Sequence, residues 1–183
     1  MNKNNHIEYK KEQTKELDMA SQPNMLYHDA CIIIEQAKAV AFKAVNDTLI
    51  KRNWLLGMRI QHEVLKDKRA GYGQQIIKSL AKALSQRYGE GFTKTNLYNY
   101  ASFYQSWPKF FHAASGKLKN DSEDDIFHAM SGENENLIST LCPLYPIRLT
   151  WTHYRIILQE SSAEARAWYE NEAANEMWST RTL

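Results

Sequence analysis

Hydrogen-bonding side chains cluster on one face of a helix that the sequence predicts to begin at about Lys94. Amides and hydroxyls near a helix N-terminus suit phosphate oxygens and base edges, whereas an ordinary solvated face is dominated by Glu, Lys and Arg. No Arg lies on this face, so strong guanine readout from it is not expected. The pattern predicts contact with double-stranded DNA through Thr93, Lys94, Thr95, Tyr98, Asn99 and Ser102.

Positive charge is concentrated in the same part of the chain. Residues 66–111 contain eight Lys or Arg against Asp67 and Glu90, a balance of +6, whereas residues 112–146 contain two Lys against six Asp or Glu, a balance of −4. Attraction to phosphates requires such a local excess, although small basic patches are also common on solvated helices. The side chains expected to steer phosphates are Arg69, Lys82, Arg87 and Lys94.

Residues that commonly hold metals or nucleotides lack the spacing that those sites require. The six His residues are scattered over different segments, which gives a zinc site little support. Gly71-Tyr72-Gly73 lacks the further glycine and the preceding strand of a dinucleotide-binding loop. His153 has no nucleophile or acid close to it in sequence and is expected to pack or to form hydrogen bonds. We therefore predict no cofactor, no metal ion and no catalytic residue.

An apolar-periodic helix, a short Gly turn and a second helix follow one another over residues 71–108. Gly89 and Gly91 permit the positive φ angles of a C-cap and a sharp reversal. Phe92 is placed to bury itself under the turn, and Thr93 is placed to cap the next helix. This order predicts a helix-turn-helix. Its expected buried residues are Ile76, Ile77, Leu80, Ala83, Leu84 and Tyr88 in the first helix, and Leu97, Tyr100, Ala101 and Tyr104 in the second.

The N-terminal part of the chain predicts a polar arm and then a long helix. Residues 1–23 are polar and poor in aromatics, which favours a flexible arm. Residues 25–66 have apolar side chains at spacings of three and four, which predicts one long helix or two nearly continuous ones, packed on the helix-turn-helix or on a second copy of the chain. Gly57 is expected to let another helix approach closely. The periodic residues are Ile33, Ala37, Val40, Ala41, Ala44, Val45, Thr48, Leu49, Leu56, Ile60 and Val64.

The C-terminal part predicts an acidic stretch followed by helices. Residues 112–146 have no sustained period and predict a loop or insertion, with room for a short helix around Ile126–Met130; a solvated linker is favoured there over an interaction role. Residues 147–183 predict helices on the same core, capped by Thr150 and by Ser161 or Ser162. Their expected apolar faces comprise Trp151, Tyr154, Ile157 and Leu158, then Ala165, Trp168, Tyr169 and Ala173.

The final segment, Trp178–Leu183, repeats the order of Phe92–Leu97: an aromatic residue, a hydroxyl cap, three polar residues and Leu. This repetition predicts the start of a further helix, so we expect the chain to be a fragment or a natural truncation of a longer protein. The predicted fold is all-α, a helical bundle containing a helix-turn-helix or winged-helix-like unit. Its expected divisions are 1–23, 24–111, 112–146 and 147–183.

Composition favours a soluble protein in the cytoplasm. Cys31 and Cys142 lie far apart in sequence, and no structural disulfide is expected between them. No apolar run approaches the roughly 20 residues that a membrane span requires, and the N-terminus has no hydrophobic signal segment. We therefore expect no membrane partner.

A series of short motifs follows a fixed order over nearly all of the chain from residue 30 onward, except the acidic insertion. The motifs are Val45-Asn46, Trp54 with Gly57, Gly71-Tyr72-Gly73, Leu80–Leu84, Tyr88-Gly89, Gly91-Phe92-Thr93 with Asn96-Leu97, Phe103-Tyr104, Leu149–Tyr154, and Ala165–Glu170 with Trp178–Leu183. In order and spacing this series resembles the N-terminal domain of the YhcG-type PD-(D/E)XK nuclease family. The long acidic insertion departs from the usual pattern.

The resemblance implies a DNA-binding module of helix-turn-helix or winged-helix-like form, followed by a nuclease domain that this chain lacks. A nuclease of that type needs an Asp and a Glu-x-Lys on adjacent strands to hold Mg²⁺. The one Glu-x-Lys here is Glu8-Tyr9-Lys10, in the polar arm and without an upstream acid. The chain alone is therefore expected not to be an enzyme.

Two functional hypotheses remain open. The first is a nucleic-acid-binding module whose second turn helix enters a DNA groove. The second is a protein-interaction or dimerisation module without direct nucleic-acid contact, in which aromatic surfaces that include Trp107, Phe110 and Phe111 bury against another chain or against the absent nuclease domain. Exposed aromatic surface would favour the second hypothesis, which also allows a homo-oligomer.

Overall fold

The computed structural model describes residues 3–66, 72–113, 138, 141–143 and 146–183, with side chains described for 24–64, 72–111, 138, 143 and 146–183. Helix α1 runs from Lys3 to Lys66. The chain divides into two compact units, Met1–Val45 and Asn46–Leu183. In the first unit, α1 is the only element among the described residues.

The second unit contains the rest of α1 and a succession of shorter elements. These are helix α2 (Tyr72–Tyr88), a 3₁₀ turn (Glu90–Phe92), helix α3 (Lys94–Ser106), strands β1 (Phe111–Ala113) and β2 (Leu141–Pro143), and helices α4 (Trp151–Ile157) and α5 (Ala163–Asn175). The two strands pair antiparallel, with Phe111 opposite Pro143. The prediction of an all-α fold is confirmed, and this short pair is the only sheet in the part of the chain described. A winged-helix-like unit stays a prediction.

The larger core is built around Phe103. Its ring is fully buried and lies 5.2–5.5 Å, centroid to centroid, from those of Trp107, Phe110, Trp151 and Tyr154. Residues from α1, α3, β1, α4 and α5 meet in the hydrophobic cluster around these rings. Its buried members are Ile50, Trp54, Leu55, Met58, Phe103, Tyr104, Phe110, Phe111, Ile147, Leu149, Tyr154, Ile157 and Ala173.

A second cluster joins α1, α2 and α3. It consists of Ile60, Ile77, Ala81, Leu97, Tyr100 and Ala101. Gly57 of α1 faces α3 so closely that an added Cβ would overlap the carbonyl oxygen of Tyr100 and lie 3.0 Å from the Cβ of Tyr104. The prediction that Gly57 lets another helix approach is therefore confirmed. The absence of a side chain at Gly57 determines how closely α1 and α3 pack.

Apolar spacing predicted the inner face of α3 correctly, because Leu97, Tyr100, Ala101 and Tyr104 are all buried. It overestimated the buried length of other helices, since a spacing pattern identifies a stripe but not how much of it another element covers. The predictions for α2 and α5 were wrong at Ala83, Tyr88 and Trp168, and the α1 residues Ile33, Val40, Val45 and Leu49 are exposed in the single chain.

Three predicted caps are confirmed. The backbone N–H of Asn96 donates to Thr93 Oγ1 at 3.4 Å, and that of Ala165 donates to Ser162 Oγ at 3.2 Å. At the start of α4, the backbone N–H of Thr150 lies 3.3 Å from His153 Nδ1, and the Thr150 hydroxyl lies 2.7 Å from the same atom. Side-chain caps of this kind satisfy the backbone groups that a helix end leaves without partners.

His153 has the packing and hydrogen-bonding role expected of it. It is buried, and its Nε2 lies 2.9 Å from the carbonyl oxygen of Trp178. Beyond Trp178, the backbone N–H of Leu183 donates to the carbonyl of Ser179 at 3.2 Å, which is one turn of helix-like bonding where a further helix was predicted.

Several predictions lie wholly or partly outside the described residues. Arg69 and the short helix around 126–130 fall outside them, as does most of the acidic segment. The flexibility predicted for the polar arm stays a prediction. The backbone is helical from Lys3 onward, but a helical conformation does not show whether the segment is flexible. The four divisions of the chain also stay predictions. Cys31 carries a free thiol. Among the described helices, none combines the length and apolar character of a membrane-spanning segment.

Candidate nucleic-acid interface

The turn between α2 and α3 is held by side chains from α3 itself. Gly89 takes a φ of 88°, which reverses the chain at the end of α2. The Asn96 amide donates to the carbonyl of Gly91 at 3.1 Å and to that of Glu90 at 3.4 Å. The Tyr100 hydroxyl donates to the Gly91 carbonyl at 2.9 Å. The direction in which α3 leaves the turn is therefore fixed by its own first two turns.

Helix α1 supports the same turn through Arg52. Its guanidinium lies 5.2 Å from the centroid of the Phe92 ring and donates to Asn53 Oδ1 at 2.8 Å. Burial raises the pKa of the Tyr100 hydroxyl, and the charge of Arg52 partly opposes that rise. Tyr100 is therefore a neutral hydrogen-bond donor at physiological pH, as its bond to the turn requires.

The predicted contact residues of α3 fall into two groups. Thr93, Lys94 and Thr95 are exposed at the N-terminal end of the helix, with the Thr93 hydroxyl accepting the capping bond. The Lys94 ammonium lies 5.7 Å from the centroid of the Tyr98 ring. The second group, Tyr98, Asn99 and Ser102, is half-buried one to two turns later. The structure thus brings these six residues together on one helix.

Tyr98 and Ser102 line a groove of about 420 Å³. Three glutamine side chains line the same groove, one from each of the three helices around it: Gln61 from α1, Gln74 from α2 and Gln105 from α3. Ile60, Val64 and Ile77 line it as well, so the groove offers apolar contact together with amides that both donate and accept hydrogen bonds. Gln61 and Gln74 were missed from sequence, because nothing in the spacing of α1 or α2 indicates which polar residues lie beside α3.

The basic residues predicted on α2 are on its surface. Lys82 and Arg87 are exposed, and the Arg87 guanidinium lies 5.1 Å from the centroid of the Tyr88 ring. From α2 through α3, residues 72–106 hold four Lys or Arg against Glu90 alone, a balance of +3. This surface can attract an anion. Within the described residues, no group of three or more His, Cys, Asp or Glu is placed to hold a metal ion.

The aromatic residues proposed for an interaction surface lie inside the chain. Phe110 and Phe111 are buried, and Trp107 packs against the same cluster. The Trp107 indole donates to Glu170 Oε2 at 2.8 Å, and Trp54 donates to the Trp107 carbonyl at 2.8 Å. These three aromatics therefore serve the core, and the expectation that they form a docking surface was wrong.

The family model described as the DUF1016 N-terminal domain matches residues 29–183. The chain belongs to this family. The match spans the whole α2–α3 region and both C-terminal helices, so the motifs that suggested the resemblance are parts of one family domain.

A curated relative of this DUF1016 N-terminal domain is the Escherichia coli (strain K12) protein named "Putative nuclease YhcG". Identity is 30% over 172 residues, covering 85% of this chain and 42% of the relative. The chain therefore spans less than half the length of that protein. No solved structure matches the chain.

Proposed function

We propose that this chain is the DNA-binding module of a YhcG-like nuclease and that α3 is the element that contacts duplex DNA. The observation that carries the proposal is the composition of the surface of α3. Its exposed N-terminal end and half-buried flank present hydroxyls, an amide and one lysine, while its opposite face is buried in two clusters.

The rigidity of α3 supports a recognition role. A helix that reads a groove must be held at a fixed angle, because hydrogen bonds to bases tolerate little misplacement. The Asn96 and Tyr100 bonds to the turn hold α3 on one side, and the contact of Gly57 in α1 with Tyr100 holds it on the other. The polar residues of its outer surface are therefore displayed on a fixed support.

The positive charge near α3 also supports the proposal. Lys82, Arg87 and Lys94 are exposed within a segment that holds a single acid. Phosphate contacts contribute most of the sequence-independent affinity of DNA-binding proteins and position them for base contacts. The relationship to a protein named as a nuclease agrees with a DNA substrate for the longer protein, and a binding module beside a nuclease domain would hold that substrate.

Fluorescence anisotropy with a labelled mixed-sequence duplex at low salt tests the proposal. We expect Lys94→Ala and Asn99→Ala to weaken binding by roughly twofold to tenfold each, the effect of losing one hydrogen bond or phosphate contact. The melting temperature of Lys94→Ala should stay close to that of the wild type, because exposed polar substitutions change stability by only about 0.5 kcal/mol, and the half-buried Asn99→Ala should lose far less stability than a core variant. Leu97→Ala, on the buried face, should cost roughly 2–5 kcal/mol of folding free energy instead.

Arg155→Ala and Gln159→Ala are the matched controls. They remove an exposed cation and an exposed amide from the region of α4, outside the basic segment, and should leave DNA affinity unchanged. Absence of binding by the wild type at micromolar concentration would refute the proposal and favour a module without nucleic-acid contact. Equal losses in the α3 and α4 variants would show that α3 is not the contact element.

A further inference from the structure

Helix α1 carries a regular apolar stripe in its first unit. Leu26, Ile33 and Val40 follow one another at intervals of seven and are 72%, 65% and 71% exposed. An alanine lies four residues after each of them, at Ala30, Ala37 and Ala44. Residues at this alternating spacing of four and three form one continuous line along a helix. We call these six residues the α1 seam.

The α1 seam has the form of a coiled-coil face. Three large aliphatic residues alternate with three alanines over almost three heptads. They have the spacing of positions d and a, which are the apolar positions of a two-helix coiled coil. Monomeric proteins rarely expose a contiguous apolar patch of this extent. The ion pair between Glu35 and Lys38, at 2.8 Å, lies on the other side of the helix.

We propose that the α1 seam pairs with the same seam of a second copy of this chain, running antiparallel. In an antiparallel pair, position a of one helix meets position d of the other. Ala30 then faces Val40 of the second copy, Ala37 faces its Ile33 and Ala44 faces its Leu26. One twofold axis near residue 35 generates all three contacts, as a symmetric dimer requires.

Side-chain volume selects this direction over the parallel one. Each antiparallel layer combines one alanine with one large aliphatic residue, so all layers have similar volume and the helices pack at a uniform distance. A parallel pair would place alanine against alanine and large against large in alternate layers. Such layers would leave voids at the alanines, and voids in a packed interface cost free energy.

Charge along the edge of the seam selects the same direction. Asp29, Gln36 and Lys43 are exposed and lie seven residues apart, each directly before a seam alanine. The antiparallel axis places Asp29 opposite Lys43 of the second copy and Gln36 opposite the second Gln36. In a parallel pair, the corresponding neighbours would be Ile34, Ala41 and Thr48. The opposite charges meet only in the antiparallel dimer.

Sedimentation of the full 183-residue chain over a range of concentrations tests the dimer. We expect a reversible dimer, with the dissociation constant raised at least about tenfold by Ile33→Glu or Val40→Glu, since each buries two charges per dimer. Phe42→Glu is the matched control, because Phe42 is 70% exposed on the same helix but outside the seam. It should leave the dimer intact. Circular dichroism checks that every variant keeps its helix content.

Cysteine cross-linking tests the direction. In a background with Cys31 and Cys142 changed to Ser, Ala30→Cys and Val40→Cys should form a disulfide only when the two variants are mixed. Each alone would place its thiols about 15 Å apart along an antiparallel pair, beyond the reach of a disulfide. Cross-linking of either variant with itself would show a parallel pair. A wild-type monomer at all concentrations, or equal disruption by Phe42→Glu, would overturn the proposal, and neither test involves DNA.

Discussion

At the scale of single residues, Gly57 has the strictest steric requirement of the described glycines. Its missing side chain leaves room for the backbone of Tyr100, so α1 and α3 approach more closely than two helices with side chains at the contact could. The turn that precedes α3 is bonded to the same tyrosine. A methyl group at residue 57 would therefore disturb both the core and the candidate interface.

We expect Gly57→Ala to lower the free energy of unfolding by about 1–3 kcal/mol or more, because overpacking against backbone cannot be relieved by a rotamer change. Urea denaturation measures the loss. Gly91→Ala is the control, since an added Cβ there meets no atom within 4 Å and its φ is not in the left-handed region. Equal midpoints for the two variants would contradict the close approach of α1 and α3.

Glu170 is a second residue with a measurable signature. Burial raises the pKa of its carboxyl above 4.5, although hydrogen bonds from Trp107 and Tyr154 oppose the rise. A carboxyl whose pKa is higher in the folded than in the unfolded state contributes its stability when protonated. That contribution is complete below pH 4.5 and is lost as the pH rises through the raised value.

Glu170→Gln should remove this loss, because glutamine is neutral at every pH and its carbonyl still accepts the Trp107 hydrogen bond. Melting temperatures across a pH series are the measurement. The wild type should lose stability relative to the variant as the pH increases above 4.5. Glu176→Gln, at an exposed carboxyl just after α5, is the control and should follow the wild type. Parallel profiles for wild type and Glu170→Gln would show that burial does not govern this carboxyl.

At the scale of elements, α2 and α3 would act as one electrostatic surface if they bind DNA. Each residue that contacts one phosphate contributes about 0.9 to the slope of log affinity against log salt concentration. Lys82→Ala and Arg87→Ala should each lower the magnitude of that slope by about this amount, as should Lys94→Ala. Binding curves at several salt concentrations give the slopes. If a variant's slope matches that of Arg155→Ala, its side chain makes no phosphate contact.

Local sequence signals predicted where elements begin and meet better than they predicted which residues are buried. The caps at Thr93, Thr150 and Ser162 and the close approach at Gly57 were predicted because each depends on a few neighbouring residues or on an uninterrupted period. Phe103 was missed as a core residue. It lies beside the stripe through Leu97, Tyr100 and Tyr104, and the residues that cover it, Trp151 and Tyr154, are about 50 residues away. The spacing of residues within one helix carries no information about such distant partners.

The candidate interface was predicted in the same partial way. The polar residues of α3 could be identified because they share a helix face. The groove beside them could not, since Gln61 and Gln74 reach it only through the packing of α1 and α2. Its existence depends on the tertiary arrangement of three helices, which spacing within a single helix does not specify.

At the scale of the whole molecule, the chain covers 42% of the length of its curated relative. We expect this portion alone not to cut DNA with Mg²⁺ or Mn²⁺, because hydrolysis of this type needs converging carboxylates that hold the metal ion. The described residues supply no such group. Incubation with supercoiled plasmid is the assay. Metal-dependent nicking that co-purifies with the chain through successive columns would contradict this prediction.

The aromatic cluster around Phe103 cannot be completed until α4 has been synthesised. Phe103 and Phe110 are translated before residue 112, but the α4 rings that contact them, those of Trp151 and Tyr154, follow about 40 residues later. At ribosomal rates of about 5–20 residues per second, this gap lasts roughly 2–8 s. During that interval the aromatic side chains of the growing chain lack their packing partners from α4. In those seconds the exposed aromatic surface would be available for a chaperone to bind.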